Sequence, residues 1–344
     1  MTKRELFLAN ARGEWTPRTP IWIMRQAGRY MKEYMATREK HSFEKICHTP
    51  KLAAEVTYQP IEKFGFDAAI IFSDILFILE PLGIDLKYNP GPSISPLLSK
   101  PAQVATYHDY DPAEKLSFVG EAIELTRQKI GPDLALLGFC GAPFTLFCYL
   151  CGSSGYIGIN NGIKFLSRYP QEGAAVLQLL TEMSYHYLKM QFRAGVDAVQ
   201  LFDTWAGELP REDFDRWAKP YLQEIVARLH NDGHLTSIYI RGTYHLLESL
   251  RDLENDIMSV DWKTPLNRAV ESFQPRALQG NLSPHIMLGD KGEVLRRAET
   301  MLNEMRSYPG YIFNLGHGIL PETPIENVSA LVELVQGFKR GLND

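Results

Sequence analysis

Short apolar runs alternate with longer, helix-like segments along most of this chain. Each run is bounded by turn residues or by helical sequence, which predicts a short buried strand. The predicted strands are residues 21–24, 67–72, 134–139, 198–202, 235–240, 257–260, 276–279 and 311–315. Strands that alternate with helices predict a parallel sheet, and eight such units favour a closed (β/α)8 TIM barrel over an open sheet. We therefore expect an α/β fold in which residues 1–344 form a single barrel domain.

Three segments need a separate prediction. Residues 82–101 are rich in Pro, Gly and Ser and predict a small hairpin outside the main alternation. Residues 134–163 contain no charged side chain, but Gly138, Gly141 and Pro143 interrupt them. A buried strand, a turn and a buried helix explain this stretch better than a membrane span. The glycine-rich residues from Gly152 to Gly162 predict a mobile loop over the site.

Composition narrows the class of protein. The chain has 344 residues, of which 45% are hydrophobic and 22% charged, with a net charge of −5. This balance allows a large core and gives no indication of nucleic-acid or acidic-membrane binding. The four cysteines form no disulfide framework at this length, and residues 1–15 lack the apolar core of a signal peptide. We therefore expect a cytoplasmic protein.

Polar side chains collect directly after the predicted strands. They are Arg25, Asp74, Asp203, Thr204, Arg241, Asp261, Asn281 and His317. In a (β/α)8 barrel the carboxyl ends of the strands carry the active site. The pattern therefore predicts that these groups surround one site at that face.

Arg25 and Arg29 follow the first predicted strand, with Gln26 and Gly28 between them. If this turn is helical, the spacing places both guanidinium groups on one face. A guanidinium binds a carboxylate or phosphate in bidentate fashion, and Gly28 lets a ligand approach closely. The motif is therefore an anion clamp or, alternatively, two surface arginines in a glycine-containing turn.

Asp74 and His317 each have a functional and a structural interpretation. A carboxylate at an apolar strand end is costly unless it is paired, which favours a role in the site, but Asp74 is also a plausible helix N-cap. His317 lies between two glycines, which permits close approach of a ligand. The alternative is a structural histidine held in one tautomer.

Metal and nucleotide motifs are weak. The Cys148-x-x-Cys151 pair supplies two ligands and Cys140 is the nearest addition, whereas zinc sites need three or four. The glycine-rich run after Cys151 matches neither a Walker loop nor a dinucleotide-binding motif. We therefore expect neither a metal site nor a nucleotide-binding loop in these segments.

Five motifs together resemble the uroporphyrinogen decarboxylase family. They are Met24-Arg-Gln-Ala-Gly-Arg-Tyr30, Phe72-Ser-Asp-Ile-Leu76, Gly141-Ala-Pro-Phe-Thr145, Gln279-Gly-Asn-Leu282 and Asn314-Leu-Gly-His-Gly-Ile319. The resemblance runs through nearly the whole chain, in order. It implies a TIM barrel, a homodimer without cofactors, and decarboxylation of the four acetate side chains of uroporphyrinogen III to give coproporphyrinogen III.

The resemblance also implies roles for particular residues. Asp74 and Arg25 are the expected catalytic residues, Asp74 as the carboxylate for the pyrrole N–H groups and Arg25 as a candidate proton donor. The expected substrate-binding residues are Arg25, Gln26, Ala27, Gly28, Arg29, Asp74, Tyr149, Thr204 and His317. The family commonly has Ser at position 204, and a Glu-Gly-Gly run where this chain has Cys151-Gly152-Ser153-Ser154. Because of the second difference, the resemblance does not determine the role of the segment over the site.

Two other functions compete with this interpretation. A zinc-dependent corrinoid methyltransferase shares the barrel, but it needs a His-x-Cys motif and a distant Cys that this chain lacks. A non-catalytic tetrapyrrole carrier would need the arginine clamp and no ionised central carboxylate.

Overall fold

The computed structural model describes residues 1–89, 91–153, 155–274 and 276–341. Its strands are β1 (Ala68–Ile70), β2 (Asp85–Tyr88), β3 (Pro92–Ser95), β4 (Ala135–Gly141), β5 (Ala198–Asp203), β6 (Leu235–Ile240), β7 (Ile257–Val260), β8 (Ala277–Leu282) and β9 (Tyr311–Leu315). A parallel sheet of seven strands has the order β1-β4-β5-β6-β7-β8-β9. The antiparallel pair β2–β3 is the hairpin predicted within residues 82–101.

The predicted first strand, residues 21–24, is not a regular strand. Within it Ile21 makes a single parallel bridge to Phe313 of β9. The same segment also reaches the other edge of the sheet, because the Asp67 N–H, just before β1, donates to the Ile21 carbonyl at 2.9 Å. The expectation of eight regular strands is therefore corrected to seven, with residues 21–24 bonded at both edges of a curled sheet.

Helices connect the strands of the sheet. They are α1 (Lys3–Ala11), α2 (Lys32–Lys40), α3 (Phe43–Cys47), α4 (Pro50–Phe64), α5 (Pro112–Lys115), α6 (Ser117–Ile130), α7 (Pro143–Cys151), α8 (Gly155–Arg168), α9 (Pro170–Ala194), α10 (Arg211–Trp217), α11 (Lys219–Asn231), α12 (Leu247–Leu250), α13 (Leu266–Phe273), α14 (Lys291–Glu304) and α15 (Ile325–Gly337). Short 3₁₀ turns follow several strands, such as Ala206–Glu208 after β5. Two predicted helices are each divided in two, at Leu116 and at Ala218.

Local sequence accounts for several helix ends. Thr2 and Glu5 form a reciprocal capping box at the start of α1. Helix α4 begins with Pro50, as expected for a first-turn proline, although the Thr49 side chain makes no capping bond. The same helix ends at Gly65, whose φ of 69° is in the left-handed region that favours glycine.

The predicted mobile loop between Gly152 and Gly162 is wrong for most of its length, because α8 begins at Gly155. Ser154 lies outside the described residues. A Cβ atom at Gly158 would lie 2.6 Å from the Cys148 carbonyl oxygen, so this glycine lets α8 cross α7 at backbone contact. The glycines here allow close helix packing. A glycine-rich sequence is also typical of a loop, so the sequence alone did not distinguish the two.

The sheet has two apolar faces. Ala135 and Leu137 of β4 belong to a cluster inside the curl, whereas Leu136 belongs to the larger cluster between sheet and helices. This alternation is the two-residue period of a strand. Phe7 and Ala11 of α1 join the inner cluster and cover the end of the sheet opposite the carboxyl ends of its strands.

A layer of buried polar side chains lies above the inner apolar cluster. Gln279 of β8 accepts from Trp22 Nε1 at 2.9 Å and donates to Gln200 Oε1 and to Ser259 Oγ, each at 2.9 Å. Ser237 of β6 also donates to Gln200, at 3.2 Å. Hydrogen bonds therefore join four strands and the 21–24 segment across the interior.

No helix among the described residues is long and apolar enough to cross a membrane.

Candidate active site

The carboxyl ends of the strands bring the predicted polar groups to one face. Asp74 follows β1, Thr204 follows β5, Arg241 follows β6 and His317 follows β9. Arg25 follows the 21–24 segment, which lies between the two edges of the sheet. The candidate site is built from these connections and from helix α7.

Arg25 occupies a strained turn, and the turn is not helical as the spacing argument assumed. Its φ is 63°, and it is the non-glycine residue with positive φ among the described residues. An L-residue in this region costs about 1–2 kcal/mol. The side chain is exposed and packs over Gly318, where a Cβ atom would lie 2.5 Å from Arg25 Cδ. Among the described residues, the Arg25 guanidinium has no hydrogen-bond or ion-pair partner.

Gln26 holds this turn in place. It is 1% exposed, and its side-chain amide donates to the Ala68 carbonyl of β1 at 3.1 Å. The Tyr30 hydroxyl donates to the Gln26 carbonyl at 2.6 Å. A Cβ atom at Gly28 would lie 2.9 Å from the Arg25 carbonyl oxygen, so the tight turn requires glycine there. The side chain of Gln26 therefore positions the arginine turn.

Arg29 lies near α2 and does not share a helical face with Arg25. Its side chain is exposed, and its charge acts on the Tyr34 hydroxyl of α2. The i,i+4 face expected for Arg25 and Arg29 is absent because the positive φ of Arg25 breaks the helical repeat. Gly28 and the half-buried Ala27 lie between the two guanidinium groups along the chain.

Asp74 is a carboxyl group in an apolar setting. Burial raises its pKa, and three nearby groups partly oppose that effect: the Leu76 N–H, the Tyr88 side chain and the Arg25 charge. The Leu76 N–H donates to Asp74 Oδ1 at 2.9 Å. This bond is the N-cap-like contact of the structural interpretation. The second oxygen is left for other partners, so both interpretations of Asp74 apply together.

Tyr88 and Cys47 are neighbours of Asp74 that the sequence analysis missed. The Tyr88 hydroxyl is buried on the hairpin and makes no standard hydrogen bond with the described residues. Burial, and then the Asp74 carboxylate, raise the pKa of Tyr88 and the pKa of the Cys47 thiol. No local motif indicated these contacts, because α3 and the hairpin meet Asp74 only in the folded chain.

Tyr149 is a further neighbour of Asp74. Burial raises the pKa of Tyr149, the Asp74 carboxylate raises it further, and the Arg25 charge lowers it. Its ring meets that of Trp205 edge-on, with centroids 6.4 Å apart. Thr204 is the half-buried residue just before Trp205, and its hydroxyl has no hydrogen bond within the described residues. Tyr149 is therefore grouped with Asp74 and Arg25, and Thr204 adjoins them through Trp205.

Asp203 shapes the turn that carries Thr204 and Trp205. The Thr145 hydroxyl donates to Asp203 Oδ1 at 2.7 Å and accepts from the Trp205 N–H at 3.1 Å. Asp203 Oδ2 is buried without a hydrogen-bond partner among the described residues. Burial raises the pKa of Asp203 to about 7, although the Thr145 bond opposes the shift. The Asp203 carboxyl is therefore buried within the protein and bonded to Thr145, and it is not exposed to a ligand.

His317 is a neutral histidine with an assigned tautomer. The Tyr239 hydroxyl lies 2.9 Å from both the Gly316 carbonyl oxygen and His317 Nδ1. A carbonyl only accepts, so the single hydroxyl proton goes to Gly316, and Nδ1–H donates to Tyr239. Burial, Arg25 and Arg241 lower the pKa of His317 to about 4. The other ring nitrogen, Nε2, is therefore left as a hydrogen-bond acceptor.

Among the described residues, no group of three or more His, Cys, Asp or Glu side chains could hold a metal ion. Cys148 and Cys151 are both buried in α7, and burial raises the pKa of each thiol. The pair supplies fewer ligands than a zinc site needs.

Comparison with known proteins identifies the family. A family model described as uroporphyrinogen decarboxylase (URO-D) matches residues 2–338. Proteins named uroporphyrinogen decarboxylase from Geobacter metallireducens and Geobacter sulfurreducens are each 39% identical over 330 residues, covering 96% of this chain and 97% of each relative.

Solved structures match the fold. A methyltransferase from Methanosarcina mazei has a TM-score of 0.80 at 23% identity and covers 98% of this chain and 99% of its own. A putative B12-independent methionine synthase from Listeria monocytogenes has a TM-score of 0.60 at 13% identity, covering 94% of this chain and 97% of its own. At these identities the likeness concerns the fold and not the reaction.

The parallel sheet is curled, and charged groups lie at the carboxyl ends of its strands, as in an α/β enzyme. The relatives place this enzyme in the carboxy-lyase class. The chain belongs to the uroporphyrinogen decarboxylase family. The resemblance carried by the five motifs is thereby confirmed.

Proposed function

We propose that this protein removes carbon dioxide from the four acetate side chains of uroporphyrinogen III and releases coproporphyrinogen III, without a metal or an organic cofactor. The observation that carries the proposal is the half-buried Asp74 carboxyl beside the Arg25 charge, in a chain of this family. The carrier alternative gives the Asp74 carboxylate no role, and the methyltransferase alternative needs zinc ligands that this chain lacks.

Decarboxylation needs an acceptor for the electron pair of the breaking C–C bond. A proton added to the ring α-carbon next to the carbon that bears the acetate turns the pyrrole into a cation that is conjugated with the acetate methylene carbon. The bond to the carboxyl carbon then breaks, its electron pair neutralises the ring, and carbon dioxide leaves. A second proton on the methylene carbon and loss of the first from the ring complete the methyl group. The substrate itself is thus the electron sink.

Asp74 is the group that we expect to stabilise the ring cation. Pyrrole N–H donors at its second oxygen favour the ionised carboxyl, against the burial that raises its pKa in the free protein. A positioned acid supplies ~10²–10⁴-fold in rate, whereas enzymes lower barriers by roughly 8–23 kcal/mol in total. A preorganised charge against the cation is a suitable source of much of the remainder.

Arg25 is the expected partner for a substrate carboxylate. It is exposed and, among the described residues, unpaired, so its guanidinium is free to bind. It also remains the candidate proton donor. We expect Arg29, Gly28, Ala27 and the backbone of Gln26 to line the outer part of the same pocket.

Tyr149, Thr204 and His317 complete the proposed pocket. The Tyr149 ring, near both Asp74 and Arg25, provides an apolar surface beside the pyrrole rings. The Thr204 hydroxyl is unpaired among the described residues and is available to a carboxylate. His317 is neutral, and its Nε2 accepts a hydrogen bond from the substrate.

We also propose the remaining features of the assembly. Residues 21–24 take the place of the eighth strand and close a (β/α)8 barrel. Residues 1–344 form one domain. Two copies form a homodimer in the cytoplasm, with a tetrapyrrole as substrate and no nucleic acid or membrane as partner. The exposed apolar side chains of Tyr156 and Ile157, each 63% accessible, support a protein contact. Sedimentation equilibrium tests the dimer.

The test of function is anaerobic incubation of the purified, chelator-treated protein with uroporphyrinogen, with porphyrin products separated by carboxyl number. We expect intermediates with seven, six and five carboxyl groups and then the four-carboxyl product, without an added cofactor. An Asp74→Asn variant provides the matched control for spontaneous loss.

Other outcomes would contradict the proposal. Tight binding without loss of carboxyl groups would indicate the carrier. Activity that appears only after zinc is restored would indicate metal chemistry.

A further inference from the structure

Arg241 is a charged side chain at the rim that the proposed function does not use. It follows β6, and its Nη2 lies 3.0 Å from Glu208 Oε1, on the turn after β5. The side chains of Arg241 and Glu208 are 24% and 32% exposed. The guanidinium also lies over the Trp205 ring, 4.9 Å from its centroid. The pair is therefore open to solvent on one side and supported by an aromatic face on the other.

The backbone on either side of Arg241 is tightly held. A Cβ atom at Gly207 would lie 1.7 Å from the Arg241 carbonyl oxygen, so the two strand-end turns pack in direct contact. The next residue, Gly242, has a φ of 89°, and its N–H donates to Asp261 Oδ2 at 3.1 Å. Asp261 in turn accepts from the Thr264 hydroxyl at 2.9 Å. The base of the arginine is thus fixed before any ligand binds.

Arg241 faces the same histidine as Arg25. Both charges lower the pKa of His317, and both act on the Tyr239 hydroxyl that binds its ring. Tyr239 and His317 stack with their ring planes 17° apart. Two guanidinium groups are therefore close enough to one imidazole to keep it neutral.

We propose that Arg241 is a second carboxylate-binding group of the substrate pocket, and that Glu208 occupies it in the free protein and exchanges with a substrate carboxylate. The inference rests on the proposed function for its substrate, a tetrapyrrole that carries a carboxylate on every side chain. A half-exposed ion pair is weak, because both charges keep part of their hydration, and it is therefore exchangeable. Because the guanidinium lies over the Trp205 ring, it stays at the rim when Glu208 leaves, with its N–H groups available to a carboxylate.

Arg25 and Arg241 have complementary roles in this arrangement. Arg25 is exposed and unpaired within the described residues, so it binds first and sets the approach of the substrate. Arg241 binds only as Glu208 leaves. The exchange favours ligands that present two carboxylates at once over ligands that present one.

The test compares Arg241→Gln with Glu208→Gln. Uroporphyrin, the stable oxidised octacarboxylate, serves as the binding probe in a titration followed by quenching of protein fluorescence. Removing the guanidinium should raise its Kd about tenfold, because a charge-assisted bond is lost. Removing only the charge of Glu208 should lower the Kd about threefold, because the competing carboxylate is gone. With uroporphyrinogen, KM should follow these changes while kcat stays within about twofold.

Arg296→Gln is the matched control. Arg296 forms an ion pair with Glu293 at 2.7 Å on α14, so this variant removes the same charge from the protein without a site contact. We expect its Kd to equal that of the native protein. The dependence of Kd on salt should weaken in Arg241→Gln and not in Arg296→Gln.

Three results would overturn the inference. Arg241→Gln binds like the native protein, or Glu208→Gln weakens binding as much as Arg241→Gln does, in which case the pair is structural. Failure of the native protein to bind uroporphyrin at all would also overturn it. Failure of the proposed function is a separate result, since the same binding pattern without release of carbon dioxide would support the carboxylate site and contradict decarboxylation.

Discussion

The interior of the curled sheet and the rim at its carboxyl ends treat polar groups in opposite ways. In the interior, Gln279 bonds to Trp22, Gln200 and Ser259, and Gln200 Nε2 is left as an unpaired atom. At the rim, the Arg25 guanidinium has no partner within the described residues, and its backbone has a φ of 63°. Apart from Gln200 Nε2, the interior layer satisfies its hydrogen bonds internally, whereas the rim keeps them available.

This difference separates stability from function. A satisfied buried network stabilises the fold, because breaking it leaves unpaired groups away from water. Unpaired and strained groups at the rim cost stability and are retained where a ligand uses them. Substitutions in the interior should therefore lower the free energy of unfolding, and substitutions at the rim should lower activity.

The largest expected effect is at Asp74. Asp74→Asn keeps the acceptor for the Leu76 N–H and removes the negative charge that opposes the ring cation. We expect kcat for uroporphyrinogen to fall by about 10³-fold, which corresponds to ~4 kcal/mol of transition-state stabilisation. Because burial disfavours the ionised carboxyl, the free energy of unfolding should stay the same or rise. Steady-state kinetics and thermal melts measure the two quantities.

If Asp74→Asn lowered the free energy of unfolding substantially, the distinction between a stabilising interior and a functional rim would fail. Asp74→Asn protein with native substrate affinity and full turnover would also contradict the proposed role of the charge.

Gln279 is the corresponding test in the interior. Gln279→Leu keeps the approximate volume and leaves the Trp22 Nε1–H and two acceptors without their partner. We expect a loss of about 3 kcal/mol in the free energy of unfolding. For a chain of this length that corresponds to a melting temperature about 4 °C lower. The kcat of the folded protein should change little.

Ser259→Ala serves as a graded control, because it removes one of the three bonds and should cost about 1 kcal/mol. A Gln279→Leu protein with native stability and reduced kcat would assign the interior layer to catalysis and remove the distinction drawn above.

The sequence predicted the interior better than the rim. Apolar runs mark strands by composition alone, so the seven strands of the sheet were all located. The bounds of β6, β7 and β9 agree with the prediction, and those of the other four strands are shifted by at most three residues. Residues 21–24 have the same composition but bond mainly through isolated contacts at the two sheet edges. Local sequence does not determine how a short apolar run pairs.

At the rim, the sequence indicated which residues approach the site and not how they contact one another. The motif around Arg25 was evident, but its positive φ depends on Gln26 bonding to β1. Tyr88, Trp205 and Tyr239 were not singled out, because their partners Asp74, Arg241 and His317 are distant in the sequence. The glycines of α8 serve packing against α7, which no glycine-rich pattern distinguishes from a loop.

Asp203 lies between the two regions and gives a pH-dependent test. Burial raises its pKa in the folded protein to about 7, from an ordinary value of 3.8. The folded state therefore holds this proton more tightly than the unfolded state, and stability falls as pH rises from 3.8 to about 7. Asp203→Asn keeps the acceptor for Thr145 and removes the titration. We expect it to stabilise the protein by about 2 kcal/mol at pH 8, within the limit of ~4 kcal/mol for such a shift.

The advantage of Asp203→Asn should shrink as the pH falls and vanish below about pH 4, which urea titrations at several pH values measure. An advantage that is equal at pH 5 and pH 8 would show that the carboxyl does not titrate with folding. Reduced activity at every pH would place Asp203 with the rim.

The smallest expected effect tests how finely the rim is positioned. In Gly318→Ala the new Cβ atom would lie 2.5 Å from Arg25 Cδ, and the flexible arginine side chain yields before the backbone does. We expect KM to rise about tenfold, or ~1.4 kcal/mol, with an unchanged melting temperature, because Arg25 is exposed and contributes little to packing. Gly337→Ala is the control, since a Cβ atom there meets nothing within 4 Å. A lower melting temperature of Gly318→Ala with an unchanged KM would contradict this prediction. Arg25 and Gly318 would then belong with the interior, whose contacts stabilise the fold, and not with the rim.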